Sequence, residues 1–280
     1  MNPKFPTLAI LPVQSLIIHE HHDDSRTGPL VERIRGSGVF TNPVIVSPLH
    51  DHTARYMVLD GANRTTATRK MGFQHILAQV VEPDQLGVET HTWNHVIWDL
   101  PPEDLLSGIR DISGLTLHAS TVEKAYDTVI NKKTSLAALH LPDGQVYEIH
   151  IHQTSASERN RFMNAIMNSY IHRARMDRTA HRTVEPLLKI YPTLSGLVFT
   201  PKMPIAHLIT LVSQGELVPA GVTRFTISPR ALRVNFPLDI LENPNLSLEE
   251  KNDALEEFVQ KRFEKKGVRY YAEETVLYDE

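Results

Sequence analysis

Residues 60 to 66, Asp-Gly-Ala-Asn-Arg-Thr-Thr, hold the densest set of groups able to do chemistry. Tyr56 to Leu59 is a short apolar run of strand-forming residues. Asp60-Gly61 breaks it, and from about Asn63 the residues suit a helix that Gly72 stops. A strand passing through a glycine turn into a helix aims unpaired backbone N–H groups at one spot, and the positive end of the helix dipole makes that spot suit a phosphate. Gly61, Ala62 and Asn63 would form the cradle and Arg64 would add a forked cation. Thr65 and Thr66 would add hydroxyls, and Asp60 could hold a metal ion or a sugar hydroxyl. The same residues also fit an ordinary strand–turn–helix junction with an exposed arginine. The short spacing matches no general phosphate-loop pattern, so both readings stand.

A second acidic group lies upstream, in His19-Glu20-His21-His22-Asp23-Asp24. Imidazoles and carboxylates are metal ligands, but a His-Glu-x-x-His site would need histidine at position 23, where Asp23 stands. The stretch suits a polar loop, within which Glu20, just after an apolar run, could take a proton from a substrate hydroxyl. Further on, Thr90-His91-Thr92-Trp93-Asn94-His95 alternates so that residues 91, 93 and 95 would share one face of an extended run. Trp93 and His95 would clamp a small polar substrate at a strand end, or simply be polar on a wet face. Arg224, in Gly221-Val222-Thr223-Arg224, could fork onto a ligand's carboxylate or phosphate, or onto a structural acid. The basic stretch Arg173, Arg175, Arg178, His181 and Arg182 suits a solvated helix end and has no interleaved aromatic platform for nucleic acid. His150 and His152 share a face of an expected hairpin and suit a solvated sheet surface.

The elements that must position these groups alternate. An extended opening segment over 8–18 leads to a helix begun by Pro29 and closed by Gly36 and Gly38. Strands follow over 44–46, 56–59 and 76–81, and Trp93 to Trp98 is expected as the last strand of a compact α/β unit ending near residue 100. Pro101-Pro102 marks a boundary. Beyond it come a short helix with Leu105, Leu106 and Ile109, and a helix over 121–131 capped by Ser120 with Glu123. A hairpin around Pro142-Asp143-Gly144 is next, then a helix capped by Ser155 with Glu158 and carrying the stripe Phe162, Ile166, Tyr170. Short helices are expected over 184–191 and from Pro204 to Gly215, and residues 219–241 are strand-rich. A last helix is capped by Ser247 with Glu250, and strands are expected over 268–271 and 275–278.

The chain has 280 residues, enough for one large domain or two ordinary ones, with 41% hydrophobic and 22% charged residues. No apolar stretch approaches the roughly 20 residues of a membrane span, and the N-terminus carries no signal-peptide core. There is no cysteine, which removes thiolate catalysis and thiolate metal sites and agrees with a cytoplasmic setting. A net charge of −4 argues against a dedicated DNA-binding protein.

Together, Asp60-Gly61-Ala62-Asn63-Arg64-Thr65 and the helix after it resemble the G-x-x-R box of the ParB/sulfiredoxin-like fold. Adding His19-Glu20, Asn42-Pro43-Val44-Ile45-Val46, Thr92-Trp93-Asn94-His95 and Gly221-Val222-Thr223-Arg224, the chain resembles the free L-serine kinases of that superfamily over nearly its whole length. These include the ParB-like regulator and kinase encoded with staphyloferrin B-type siderophore biosynthesis, whose branch Arg230 to Leu238 and Arg269-Tyr270-Tyr271 also fit. The resemblance implies an α/β (α+β) protein: a ParB/sulfiredoxin-like nucleotide-binding domain over 1–100, and an α+β domain over 101–280 that closes the site. It implies phosphoryl transfer from ATP or ADP, with Mg2+, to free L-serine. Glu20 would be the catalytic carboxylate, and Asp60 with the turn from Gly61 to Thr66 the phosphate and magnesium site. Trp93 and His95 would line the serine pocket, and Thr223 and Arg224 would bind substrate from the second domain. Related boxes often carry histidine where this chain has Asn63, and an amide cannot serve as an acid there. The rival expectation is a nucleotide-responsive DNA-binding regulator, which needs a basic recognition helix; the only candidate, Pro204 to Gln214, has no Lys or Arg. A sulfiredoxin-like reductase needs a cysteine and is excluded.

Overall fold

The computed structural model describes residues 5–20, 27–132, 134–152 and 155–271. In chain order the first elements are β1 (Thr7–Pro12), β2 (Leu16–Ile18), α1 (Thr27–Ser37), β3 (Val39–Phe40), β4 (Val44–Pro48), β5 (Tyr56–Asp60), α2 (Ala62–Lys70), β6 (His75–Val80), β7 (Val88–Thr92) and β8 (Asn94–Trp98). Then come α3 (Pro102–Arg110), β9 (Leu115–Ser120), α4 (Val122–Tyr126) running into a π-helical turn over Asp127–Asn131, β10 (Ala137–His140), β11 (Val146–Ile151), α5 (Ala156–Asn168) and β12 (Arg175–Thr179). The last are α6 (Glu185–Leu188), β13 (Leu194–Phe199), α7 (Ile205–Ser213), β14 (Thr223–Ile227), β15 (Phe236–Pro237), α8 (Leu238–Glu242) and α9 (Leu248–Glu264).

Two sheets organise the α/β (α+β) chain. The first has the order β1-β6-β4-β5-β2, with β2 parallel to β5 and β4 parallel to β6. The second, β12-β8-β13-β10-β11-β9, is antiparallel throughout. β8 therefore lies inside the second sheet, contrary to the expectation that Trp93 to Trp98 closes the first. Its buried Val96 and Ile97 fall in separate clusters, Val96 with Ala125, Val184 and Phe199 and Ile97 with Leu105, Ile109 and Tyr170, so both faces of β8 are covered. Two short ribbons, β14 with β7 and β15 with β3, tie late residues to early ones.

The first sheet is completed by residues 236–255. Phe236, Leu238, Leu241 and Leu255 share a buried cluster with Ile10, Phe40, Val44 and Ile76. The side chain of Asn252 both donates to the Ile10 carbonyl at 3.0 Å and accepts from the Ile10 amide at 2.9 Å, holding α9 against β1.

Capping boxes at Ser155/Glu158 and Ser247/Glu250 start α5 and α9 as their sequences predict. At α4 the cap is Thr121, which accepts from the Lys124 amide, and not Ser120. Ser120 instead donates to the buried Glu148, so its hydroxyl serves a carboxylate rather than a helix end. The basic stretch near 173–182 is not a helix end: residues 175–179 form the edge strand β12. Residues 268–271 form no strand, and the expected strand over 275–278 and the polar stretch over 21–24 lie outside the described residues. Among the described residues no helix is long and apolar enough to cross a membrane.

Candidate active site

A cleft of about 1450 Å³ opens between the end of β5 on the first sheet and the segment 218–223 that leads into β14. Glu20, Asp60, Gly61, Ala62, Asn63 and Arg64 all line it, so the two acidic places singled out in the sequence face one space.

One wall is the phosphate-type turn. Gly61 has φ +98°, and a Cβ there would lie 2.8 Å from Val44 Cγ1 and 3.0 Å from the Arg64 guanidinium, so only glycine fits. No side chain caps α2 and its first turn holds no acid, which leaves the positive end of the helix facing the cleft. Asp60 Oδ2 accepts from Arg64 Nη2 at 3.1 Å and also from Arg230, while Arg64 Nη1 reaches the Asn42 carbonyl at 3.4 Å. The carboxylate is thus held between two guanidinium groups. The hydroxyl of buried Thr65 donates back to the Gly61 carbonyl at 3.1 Å, inside the helix, and neither Thr65 nor Thr66 lines the cleft.

The opposite wall carries Glu20. Its Oε2 accepts from the Gly221 amide and its Oε1 from the Thr223 hydroxyl at 2.8 Å. The backbone beside it is fixed by the Val218 amide, which donates to the His19 carbonyl at 2.9 Å. His19 is 3% exposed and lies between β5 and β14, with Nδ1 2.6 Å from the Val58 carbonyl and Nε2 2.7 Å from Thr223 Oγ1.

Four residues expected to contact substrate, Trp93, His95, Thr223 and Arg224, stand behind the cleft rather than in it, and the Thr223 hydroxyl is taken by Glu20. Trp93 joins β7 to β8 and carries the Arg224 guanidinium over its ring at 4.5 Å, and neither residue lines the cleft. His95 is fully buried. Its Nε2 donates to the Gly221 carbonyl at 3.1 Å, and its Nδ1 accepts from the Tyr170 hydroxyl at 2.9 Å. Burial pushes the His95 imidazole down to about 4, and the Arg178 charge adds to the effect, while the Gly221 carbonyl opposes it. A neutral ring suits both hydrogen bonds. His95 therefore braces residue Gly221 through its carbonyl, and the amide of the same residue holds Glu20.

Sequence reasoning passed over Arg178 and Arg230 as ligand-facing groups, although both line the cleft. Arg178 projects from the edge strand β12, and its stem lies 3.1 Å from where a Gly221 Cβ would sit, so the glycine makes room for it. The signal that could have found it was the alternation in Arg175-Met176-Asp177-Arg178-Thr179, which has a strand period.

A divalent ion has limited support from protein groups alone: among the described residues no cluster of three or more His, Cys, Asp or Glu side chains could hold one. Mg2+ ordinarily needs only one or two carboxylates when phosphates and water complete its shell, and Asp60, lining the cleft beside the turn, fits that part.

No family model matches the sequence. The chain is 26% identical over 256 residues to the ATP-dependent L-serine kinase SbnI of Staphylococcus aureus, a match covering 86% of this chain and 87% of that protein. It is 31% identical over 84 residues to the ATP-dependent L-serine kinase of Staphylothermus marinus, covering 30% of this chain and 33% of the relative. In fold it is similar to the C-terminally truncated SbnI structure, with a TM-score of 0.70, 21% identity and coverage of 91% of this chain and 97% of that one. It is also similar to a free serine kinase variant solved with AMP, with a TM-score of 0.66, 14% identity and coverage of 85% and 95%.

Proposed function

We infer that the chain belongs to the free L-serine kinases of the ParB/sulfiredoxin-like fold and transfers a phosphoryl group from a nucleotide to the hydroxyl of L-serine, giving O-phospho-L-serine. The observation that carries this reading is the cleft itself. The Glu20 carboxylate lies on one wall and the uncapped helix start after Gly61 on the other. Phosphoryl transfer asks little covalent chemistry of a protein; it needs in-line placement of the two reactants and neutralisation of phosphate charge. The Gly61 to Arg64 turn would hold the phosphates, with Arg64 and Arg230 as flanking cations. Mg2+, held by Asp60 and the phosphates, would supply further charge neutralisation. Glu20, oriented by the Gly221 amide and the Thr223 hydroxyl, would accept the serine hydroxyl proton.

The anionic end of serine falls more naturally to Arg178 than to Arg224. Arg178 lines the cleft beside Gly221, whereas Arg224 lies over the Trp93 ring outside it. Trp93 and His95 then support the pocket wall without touching substrate. The names of the sequence relatives support ATP as donor, and a cytoplasmic setting, where ATP is held, suits the reaction. The product would feed siderophore or amino-acid synthesis.

The DNA-binding alternative loses its element. α7, its only candidate recognition helix, buries Ile205, Leu208, Leu211 and Val212 in the core and carries no Lys or Arg.

Incubating the protein with L-serine, Mg2+ and ATP, or ADP in parallel, and measuring phosphoserine by mass spectrometry tests the reading. Product with ATP supports it. No product with either nucleotide, under conditions where AMP or ADP binds, overturns it.

A further inference from the structure

The contacts around Glu20 raise a question of proton count. Val58 O, His19, Thr223 and Glu20 form a row with three gaps of 2.6, 2.7 and 2.8 Å, each of hydrogen-bond length. Every gap needs one hydrogen. A carbonyl cannot donate, so the hydrogen in the first gap is assigned to His19 Nδ1. A threonine hydroxyl has one hydrogen and can fill the second gap or the third, not both. A neutral imidazole and an ionised carboxylate therefore leave the row one proton short. The row is complete when a single further proton lies on either His19 Nε2 or Glu20.

We propose that His19, Thr223 and Glu20 act as one proton-accepting unit, in which the proton taken from the substrate hydroxyl ends on the buried His19 imidazole. This rests on the kinase reading above. The serine oxygen forms its bond to the γ-phosphorus as the bond from that phosphorus to the leaving nucleotide oxygen breaks, and the serine O–H proton passes to Glu20. Glu20 donates to Thr223 Oγ1, and the Thr223 hydrogen moves to His19 Nε2, leaving imidazolium. After product departs, the reverse shift returns the proton through Glu20 to water.

The surroundings fit such a store. From β5 the ring takes a hydrogen-bond contact with the Val58 carbonyl. From β14 it meets the Thr223 hydroxyl and the edge of the Phe225 ring, centroids 5.5 Å apart. The one ion-pair partner among the described residues is Glu20, with His19 Nε2 3.5 Å from its Oε1. Arg178, Arg64 and Arg230 line the cleft beyond Glu20, as does Asp60. A carboxylate acting alone would need neither a hydroxyl of one orientation nor a histidine behind it. His19 lines the cleft next to Glu20, and its part in this scheme is to hold the proton passed through Thr223 rather than to touch the serine hydroxyl, so it acts as a positioning and proton-holding residue.

The test measures kcat, KM for serine and the pH–rate profile of phosphoserine formation. His19→Gln keeps an acceptor near Nε2 but cannot take the proton, and Thr223→Val removes the hydroxyl at nearly constant volume. Both should lower kcat about 10- to 100-fold, less than the roughly 10²- to 10⁴-fold that general-base help supplies as a whole. KM for serine should stay within about threefold, and the acid limb of the profile should move, because the proton then has no place beyond Glu20. Thr223→Ser should restore most of the rate, which guards against misfolding as the cause. Wild-type kcat and an unmoved acid limb in both variants would overturn the unit while leaving the kinase reading intact. Absence of phosphoserine from the unmodified protein would instead remove the kinase reading itself.

Discussion

The two walls of the cleft are built on opposite plans. The phosphate wall comes from neighbouring residues: Asp60, Gly61 and Arg64 lie within one strand–turn–helix, and only Arg230 joins from afar. Its charges are wet, with the side chains of Asp60 and Arg230 about 40% and 38% exposed. The hydroxyl wall is assembled from residues about two hundred positions apart, Glu20 with Gly221 and Thr223, and it is drier, with Thr223 buried and the Glu20 side chain 16% exposed. A wet wall can exchange ion pairs for phosphates without leaving a buried charge unpaired. A dry wall fixes one carboxylate in one orientation, since each buried polar atom needs its partner. On the proposed reading, the donor nucleotide would meet groups able to rearrange, and the acceptor alcohol would meet a group already in place.

Four outcomes would break or sharpen this contrast. The largest effect should come from Glu20→Gln, which keeps the shape of the dry wall and removes its base. Turnover should fall about 10²- to 10⁴-fold while nucleotide affinity by calorimetry stays near wild type. Undiminished phosphorylation would take Glu20 out of the mechanism. Next is Gly61→Ala at the wet wall. The left-handed backbone and the close Val44 contact should cost roughly 1–3 kcal/mol in urea unfolding and weaken nucleotide binding, and an unchanged protein would contradict the turn geometry.

His95 gives a prediction in pH. Its folded value near 4 lies below the unfolded value near 6.5, so the unfolded chain binds the extra proton between them. The stability contributed by neutral His95 is complete above the unfolded value and is lost as pH falls toward 4. Denaturant curves at pH 7 and 5 should differ by about 1–2 kcal/mol from this group, and that difference should shrink in His95→Asn. The smallest effect is expected from Arg230→Ala. Losing one half-exposed cation should raise KM for ATP about fivefold and leave KM for serine unchanged. A larger change in serine binding would mean the two walls are not separate.

The same contrast explains what the sequence made legible. Gly61 and Arg64 could be placed because a strand, a glycine and a helix follow one another within a few residues. Glu20 could be placed beside an apolar run, but Gly221 and Thr223 were legible only as a turn before Arg224 and not as its partners, since no local spacing relates them to position 20. Arg178 was hidden by β12, a five-residue edge strand whose charges imitate a helix end. β8 was legible as a strand but not as a member of the second sheet, because its apolar run reads the same in either core. Ser120 offered a capping pattern as good as that of Ser155, and only the tertiary demand of Glu148 for a donor separates them.

The clasp of α9 on β1 bears on how the protein is born. When the ribosome has released the first hundred residues, the strands of the opening sheet exist, but Ile10, Phe40 and Ile76 still lack the cover of Leu241 and Leu255. That apolar surface stays open until the closing helix emerges, and a nascent chain halted near residue 230 would expose it to chaperones and to other unfinished copies. The cover therefore arrives only once α9 has been made.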